Sequence, residues 1–81
     1  MQDNESRELD ARGLACPLPV LRANRLLRSM NAGARLKVIA TDPSAPADFA
    51  QFCSATGHRL LDQSCHGDEF HLVIERRSDG Q

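Results

Sequence analysis

The sequence predicts an α/β (α+β) fold, a two-layer sandwich in the order β-α-β-α-β-β, with two helices on one face of a mixed four-stranded sheet. Three observations support this. The chain has 81 residues, enough for one domain with one core. Two segments carry apolar residues at helical spacing, and shorter segments carry strand signals. A strand–helix–strand unit with short connections implies parallel strands, whereas the closing hairpin is antiparallel.

The first half of the chain is predicted to form strand 8–11, helix 17–30 and strand 35–41. The apolar stripe of the helix consists of Val20, Ala23, Leu26, Leu27 and Met30. Gly33 follows as a residue suited to ending a helix. In the second strand Leu36, Val38 and Ala40 alternate with polar side chains, as in a strand with one buried face.

The second half is predicted to form helix 47–56, strand 59–65 and strand 70–76. The helix has an apolar side formed by Phe49, Phe52 and Cys53, and Gly57 ends it. The segment 66–69 is a polar turn between the last two strands. We expect flexible ends over 1–7 and 78–81 and a single domain over 8–77.

Composition and charge exclude several classes of protein. The formal net charge is −1, so a basic footprint for general nucleic-acid binding is missing. No apolar run approaches the length of a membrane span, and no signal peptide opens the sequence. We therefore expect a cytoplasmic protein with no membrane and no direct nucleic-acid partner.

Three cysteines are an odd number, which favours free thiols over a disulfide framework. Cys53 lies among apolar helix positions and is predicted to belong to the core. Cys65 adjoins the hairpin and is a candidate for an exposed, oxidisable thiol. The spacing of the histidines and Cys65 matches no ordinary zinc pattern, so we expect no metal and no cofactor.

The strongest chemical signal is Cys16, followed by Pro17 and Pro19. Proline in the first turn of a helix costs no hydrogen bond, because the first N–H groups have no intrahelical partner. Cys16 is therefore predicted to be the N-cap, with free amides of Leu18 and Val20 nearby. The positive end of the helix would then favour the nucleophilic thiolate.

Gly13, Asp10 and Asp42 are candidate supporting residues. Gly13 is a turn residue, and Asp42 follows the second strand as Cys16 follows the first. If those strands are parallel neighbours, the two residues lie at one edge of the sheet. Asp10 or Asp42 could move a proton or position the loop, or each could have only a turn or cap role. A carboxylate near the sulfur would raise the pKa of the cysteine.

Exposed residues after Cys16 are candidates for partner docking. Arg22, Arg25 and Arg28 recur every three residues on the first helix. They form either a solvated face or a docking strip for an acidic surface. Leu18 places an apolar side chain next to the candidate nucleophile.

The segment 9–20, LDARGLACPLPV, resembles the signature of the TusA/SirA family of small sulfur-carrier proteins. The similarity continues through Asp42-Pro43, Asp48, Phe52-Cys53 and Gly57-His58, and it covers about residues 8–77. It implies the same β-α-β-α-β-β sandwich, with Cys16 accepting sulfane sulfur as a persulfide and passing it on. Many members have Glu or another polar residue where this chain has Leu18, a difference expected to change partner choice.

The resemblance also implies a place in a sulfur relay. The upstream partner would be a cysteine desulfurase or a rhodanese-type donor, and the downstream partner a sulfur-acceptor protein. The pathways served by the family are tRNA thiolation, cofactor sulfuration and sulfur oxidation, and the residues do not choose among them. Whether a carrier that is consumed and regenerated is an enzyme is partly convention.

Two alternatives stay open at the level of sequence. The domain is a non-catalytic regulatory or interaction module if Cys16 is only a structural cap. It is a thiol redox sensor if Cys16 forms a reversible disulfide with another protein. Serine at position 16 would preserve a cap but carry no sulfane sulfur, which separates the first alternative from a sulfur carrier.

Overall fold

The computed structural model describes residues 5–78. In chain order its elements are β1 Ser6–Ala11, α1 Leu18–Arg28, β2 Arg35–Ala40, α2 Ala45–Thr56, β3 Arg59–His66 and β4 Glu69–Glu75. The predicted order β-α-β-α-β-β is therefore confirmed.

The four strands form one mixed sheet in the order β1-β2-β4-β3. β1 pairs with β2 in parallel, and β4 pairs with both β2 and β3 antiparallel. The parallel pair is the one that the strand–helix–strand unit predicted, because a helical crossover returns the chain to the same edge of the sheet. The register of β3 shifts between Leu60 and Asp62, where the edge strand carries a bulge.

The core lies between the sheet and the two helices. Every second residue of β2 is buried, and the same holds for the central part of β4. The largest fully buried side chains are Phe49, Leu27, Leu36, Leu72, Ile74 and Val38. Of the predicted α1 stripe, Ala23, Leu27 and Met30 are buried, and Val20 and Leu26 pack against the core. The apolar faces predicted for both helices and for β2 are thus confirmed.

Three element boundaries differ from the prediction by two residues, and several others differ by one. α1 ends at Arg28, because the Ser29 hydroxyl and backbone N–H both donate to the carbonyl of Leu26; Gly33 lies in the following turn. α2 begins at Ala45, two residues earlier than predicted, with Pro46 in its first turn, where proline is tolerated. Ser6 and Arg7, expected in a flexible end, belong to β1; the predicted flexibility of residues 1–4 and 79–81 lies outside the described residues.

The end of α2 is closed by a glycine and by the C-terminal segment. Gly57 has φ 88°, a left-handed conformation that glycine adopts without steric cost, and its N–H donates to the carbonyl of Cys53. His58 packs on the Phe52 ring, and its Nδ1 accepts a hydrogen bond of 2.9 Å from the backbone N–H of Arg77. Arg77 also donates to the carbonyl of Thr56 at 2.6 Å, so this part of the tail is anchored.

The chain leaves β1 and β2 at the same edge of the sheet, because these strands are parallel and in register. The β3–β4 turn lies at the same edge, since Phe70 of β4 pairs with Ala40 at the end of β2. This edge therefore collects the loop with Cys16, the loop with Asp42 and the β3–β4 turn. The candidate residues Cys16 and Asp42 therefore lie at the same edge of the sheet.

Candidate functional site around Cys16

Cys16 is exposed in the loop that joins β1 to α1. The predicted N-cap role is wrong: Pro17 occupies the N-cap position, makes no side-chain cap hydrogen bond, and is joined to Cys16 by a cis peptide bond. The amide of Leu18 is not free either, because it donates to the carbonyl of Ala15 at 2.9 Å. The thiol is therefore presented by a loop just before the helix and not by the helix itself.

Asp42 holds the Cys16 loop in place. Its Oδ2 accepts a hydrogen bond of 2.6 Å from the backbone N–H of Cys16, and its Oδ1 accepts one of 3.1 Å from the N–H of Ser44. The expected proximity of Cys16 and Asp42 is confirmed, and Asp42 both positions the loop and caps a turn. The hydrogen bond from the Ser44 N–H lowers the pKa of Asp42 most, and the one from the Cys16 N–H lowers it further.

Gly13 supplies a second link between the two loops. Its φ is 81°, in the left-handed region that favours glycine, and its N–H donates to the Thr41 hydroxyl at 2.9 Å. The loops after β1 and β2 are thus tied at two points, Gly13–Thr41 and Cys16–Asp42.

Asp48 and Ser44 belong to the same site, although the sequence patterns did not single them out as chemical residues. Asp48 lies in the first turn of α2 and borders a groove of about 290 Å³ between the helices together with Cys16. Its Oδ2 accepts a hydrogen bond of 3.0 Å from the Ser44 hydroxyl. The groove has largely apolar walls, formed by residues that include Pro17, Val20 and Phe52. The available signal was the start of α2 directly after Asp42, which brings its first turn to Cys16.

The pKa of the Cys16 thiol is raised, which reverses the predicted direction. The first cause is the hydrogen bond between the thiol and the Asp48 carboxylate; desolvation and the negative charges of Asp48 and Asp42 act in the same direction. The hydrogen bond with Ser44 acts in the opposite direction. The sequence correctly indicated that a nearby carboxylate would oppose the helix end, but it did not identify Asp48 as the main one.

Asp10 does not join the site. Its neighbour Ala11 is fully buried beneath the helices, so in a strand Asp10 points to the opposite face of the sheet. There it forms a salt bridge of 2.8 Å with Arg12, which lowers the pKa of Asp10 to about 2. Arg12 also contacts Glu69, so this carboxylate is part of a surface ion-pair cluster and does not act on Cys16.

The other two cysteines occupy different environments. Cys53 is buried in the core, as predicted, and burial raises the pKa of its thiol. Cys65 is exposed, and its thiol donates to the carbonyl of Gly67 at 3.5 Å. The rings of His66 and His71 lie 4.5 Å apart, but residues 5–78 contain no group of three or more His, Cys, Asp or Glu side chains arranged to hold a metal ion.

A family model described as sulfurtransferase TusA matches residues 7–76, which includes every residue of the site. The chain belongs to the TusA family. The predicted family is therefore confirmed, and with it the sulfur-carrier role in a relay between sulfur donors and acceptors.

Curated relatives support this assignment. A sulfur carrier protein TusA from Allochromatium vinosum is 47% identical over 70 residues, covering 86% of this chain and 92% of the relative. A sulfur carrier protein TusA from Pseudomonas putida is 45% identical over 71 residues, covering 88% of this chain and 89% of the relative. This TusA family member thus aligns with these relatives over nearly their whole length.

A solved structure confirms the predicted fold class. The crystal structure of a SirA-like protein from Desulfitobacterium hafniense superposes with a TM-score of 0.78 at 20% sequence identity, covering 89% of this chain and 99% of that one. This chain therefore has the same fold as that protein.

The outer face of α1 in this TusA domain is basic and partly apolar. Leu18 and Leu21 are 42% and 54% exposed, and Arg22, Arg25 and Arg28 are exposed along the same helix. α1 contains no acidic residue, so all its charged side chains are positive. Within residues 5–78, neither helix is long and apolar enough to cross a membrane.

Proposed function

We propose that Cys16 is the sulfur-carrying residue of this TusA family member and that it carries sulfane sulfur as a persulfide. The observation that supports the proposal most strongly is the presentation of Cys16: its sulfur is exposed at the sheet edge, while Asp42 fixes its backbone amide at 2.6 Å. A carrier needs a sulfur that two partners reach in turn, held by a loop that does not move away. Gly13, Pro17, Pro19 and Asp42 act in this proposal as the residues that shape and hold the loop.

The transfer step needs no oxidant, because sulfane sulfur moves without net redox change. The Cys16 thiolate attacks the outer sulfur of a donor persulfide, R–S–SH, and its lone pair forms the new S–S bond. The donor S–S bond breaks, and its electron pair leaves with the donor sulfur, which takes up the proton lost by Cys16. The products are Cys16–S–SH and R–SH, and the same step in the next direction loads the acceptor.

The partners in this proposal are proteins. A cysteine desulfurase or a rhodanese-type protein would supply sulfur, and a downstream acceptor protein would remove it. The positive face of α1 next to Cys16 fits an acidic surface around the partner's reactive sulfur, since opposite charges steer encounter. The proposed compartment is the cytoplasm, because the exposed thiols of Cys16 and Cys65 suit a reducing environment.

Intact-mass spectrometry tests the proposal. The reduced protein is incubated separately with a loaded cysteine desulfurase, with a rhodanese plus thiosulfate, and with polysulfide, and the modified residue is mapped on peptides. We expect one added sulfur on Cys16 that reductant removes. Cys16→Ser should take up no sulfur at that position, whereas the matched variant Cys65→Ser should load like the wild type.

The outcomes separate the carrier from its alternatives. Loading confined to Cys65, or no loading from any donor while Cys16 remains open to alkylation, would reject the proposal. A mixed disulfide at Cys16 formed under oxidant, without sulfur transfer, would indicate a redox sensor.

A further inference from the structure

We propose that Asp48 controls when the sulfur of Cys16 carries a negative charge: it holds the empty sulfur as a thiol and repels the persulfide anion once Cys16 is loaded. The inference rests on the proposed function and adds to it a residue that determines the direction of transfer. Such a residue is useful to a sulfur carrier, whose unloaded thiol should react little with other molecules and whose persulfide should pass its sulfur readily to an acceptor.

The geometry places Asp48 beside Cys16. The two residues border the same groove, and Asp48 is the group that raises the pKa of the Cys16 thiol most. The carboxylate is itself oriented by the Ser44 hydroxyl at 3.0 Å, and Ser44 is oriented by Asp42, which accepts its backbone N–H at 3.1 Å. The Asp48 carboxylate is thus held by Ser44 at the groove that Cys16 borders.

The surroundings make the charge of Asp48 effective. Pro17, Val20 and Phe52 form apolar walls beside the pair, and an apolar wall reduces the screening of a charge by water. The charged groups acting on the thiol from α2 and the preceding loop are the carboxylates of Asp48 and Asp42. The arginines of α1 begin at Arg22, more than one turn further along the helix.

A carboxylate in this position treats the two states of the carrier differently. In the empty state the negative charge of Asp48 favours the neutral thiol over the thiolate. A persulfide is more acidic than a thiol and is ionised at neutral pH, so the loaded state places a second negative charge beside Asp48. Asp48 therefore disfavours the loaded state, and sulfur transfer to an acceptor relieves the repulsion.

The test is the pH profile of Cys16 alkylation, followed on the Cys16 peptide, for wild type and for Asp48→Asn. The variant keeps the shape of the side chain and removes its charge. We expect its profile to shift to lower pH, so that alkylation at pH 7 is about tenfold faster, which corresponds to one pKa unit. Asp48→Glu should keep most of the wild-type profile, and Asp62→Asn, the same charge change on exposed β3, should match the wild type.

A second pair of variants separates charge from structure. Asp48→Glu keeps the negative charge, whereas Asp48→Ser removes both the charge and most of the side chain. A purely structural role of Asp48 would not shift the profiles of Asp48→Asn and Asp48→Ser to lower pH while leaving that of Asp48→Glu near the wild type. If Asp48→Asn fails to fold by circular dichroism, the profile of Asp48→Ser decides the question, and a profile equal to the wild type overturns the proposal.

Sulfur partition tests the loaded state. With a limiting polysulfide donor, Asp48→Asn should hold a persulfide-to-thiol ratio roughly three- to tenfold above the wild type, in keeping with a shift of about one pKa unit. An unchanged alkylation profile overturns the control of the thiol, and an unchanged ratio overturns the control of the persulfide. If the wild type takes up no sulfur on Cys16, the proposed function fails, while the alkylation profile still measures the action of Asp48.

Discussion

At the scale of single residues, the properties of Cys16 are set by its neighbours across the fold. The motif around it predicted a thiolate stabilised by a helix end, yet the pKa of the thiol is raised by the Asp48 carboxylate first. In the sequence Asp48 is separated from Cys16 by both α1 and β2, and only the parallel pairing of β1 with β2 brings the start of α2 to the loop. Reactivity at this site is therefore a tertiary property.

Asp42 provides a prediction that depends on pH. Its pKa lies below the ordinary value because the N–H groups of Ser44 and Cys16 donate to the carboxylate, so the ionised form is favoured in the folded state. The contribution to stability is complete above the unfolded pKa, about 4, and is lost as pH falls through the folded pKa. Asp42→Asn should therefore lower the urea midpoint at pH 7, and the difference from wild type should shrink below pH 4.

Urea unfolding of both proteins at several pH values measures this. Asp68→Asn, in the exposed β3–β4 turn, is the matched control and should show a smaller difference at neutral pH. An Asp42→Asn difference that stays constant down to pH 2 would contradict the assignment of these hydrogen bonds.

At the scale of elements, α1 combines two roles. Its inner stripe of Ala23 and Leu27 is fully buried, whereas its outer face presents three arginines and the exposed Leu21. The alternatives left open by the sequence, a solvated face or a docking strip, differ in whether partner encounter depends on these charges. The position of the strip on the helix that follows Cys16 favours docking.

Reversal of the strip tests that role. The variant Arg22→Glu/Arg25→Glu/Arg28→Glu should slow sulfur exchange with a protein donor by about tenfold at low ionic strength, and the effect should decline with added salt. Loading from polysulfide, which needs no docking surface, should change little. Lys37→Glu, on the other face of the sheet, is the control; equal slowing by this variant would refute a specific docking strip.

At the scale of the whole molecule, one small core supports the site. Leu72 and Ile74 of the central strand β4 are fully buried, whereas Leu61, at the bulge of edge strand β3, is 37% exposed. A domain of this size has stability on the order of 5–10 kcal/mol, so a single buried side chain accounts for much of it. Truncation of Leu72 and truncation of Leu61 should therefore differ strongly in their effect on the free energy of unfolding.

Truncation of each leucine measures that difference. Leu72→Ala should lower the free energy of unfolding by about 2–5 kcal/mol, from lost burial and the cavity left behind. Leu61→Ala should change it by no more than about 0.5 kcal/mol. Thermal or urea unfolding of both variants gives the comparison, and equal losses would contradict the placement of the core.

Four features could be predicted from the amino-acid sequence alone: the family, the order of the elements, the apolar faces of the helices and the candidate nucleophile. These features depend on local periodicity and on a short motif, both of which are present in the chain without any long-range contact. The meeting of Cys16 and Asp42 was also predictable, because parallel strands release their loops at one edge.

The electrostatics of the site, and which residues belong to it, depend on how the chain folds in three dimensions. In the folded chain, Asp10 lies on the opposite face of the sheet because of the pleat of β1. Asp48 and Ser44 lie near Cys16, and Pro17 occupies the N-cap position of α1. These outcomes depend on side-chain directions and on distances between residues far apart in sequence. Charge interactions vary steeply over such distances, so the direction of the Cys16 pKa shift followed from packing and not from the motif.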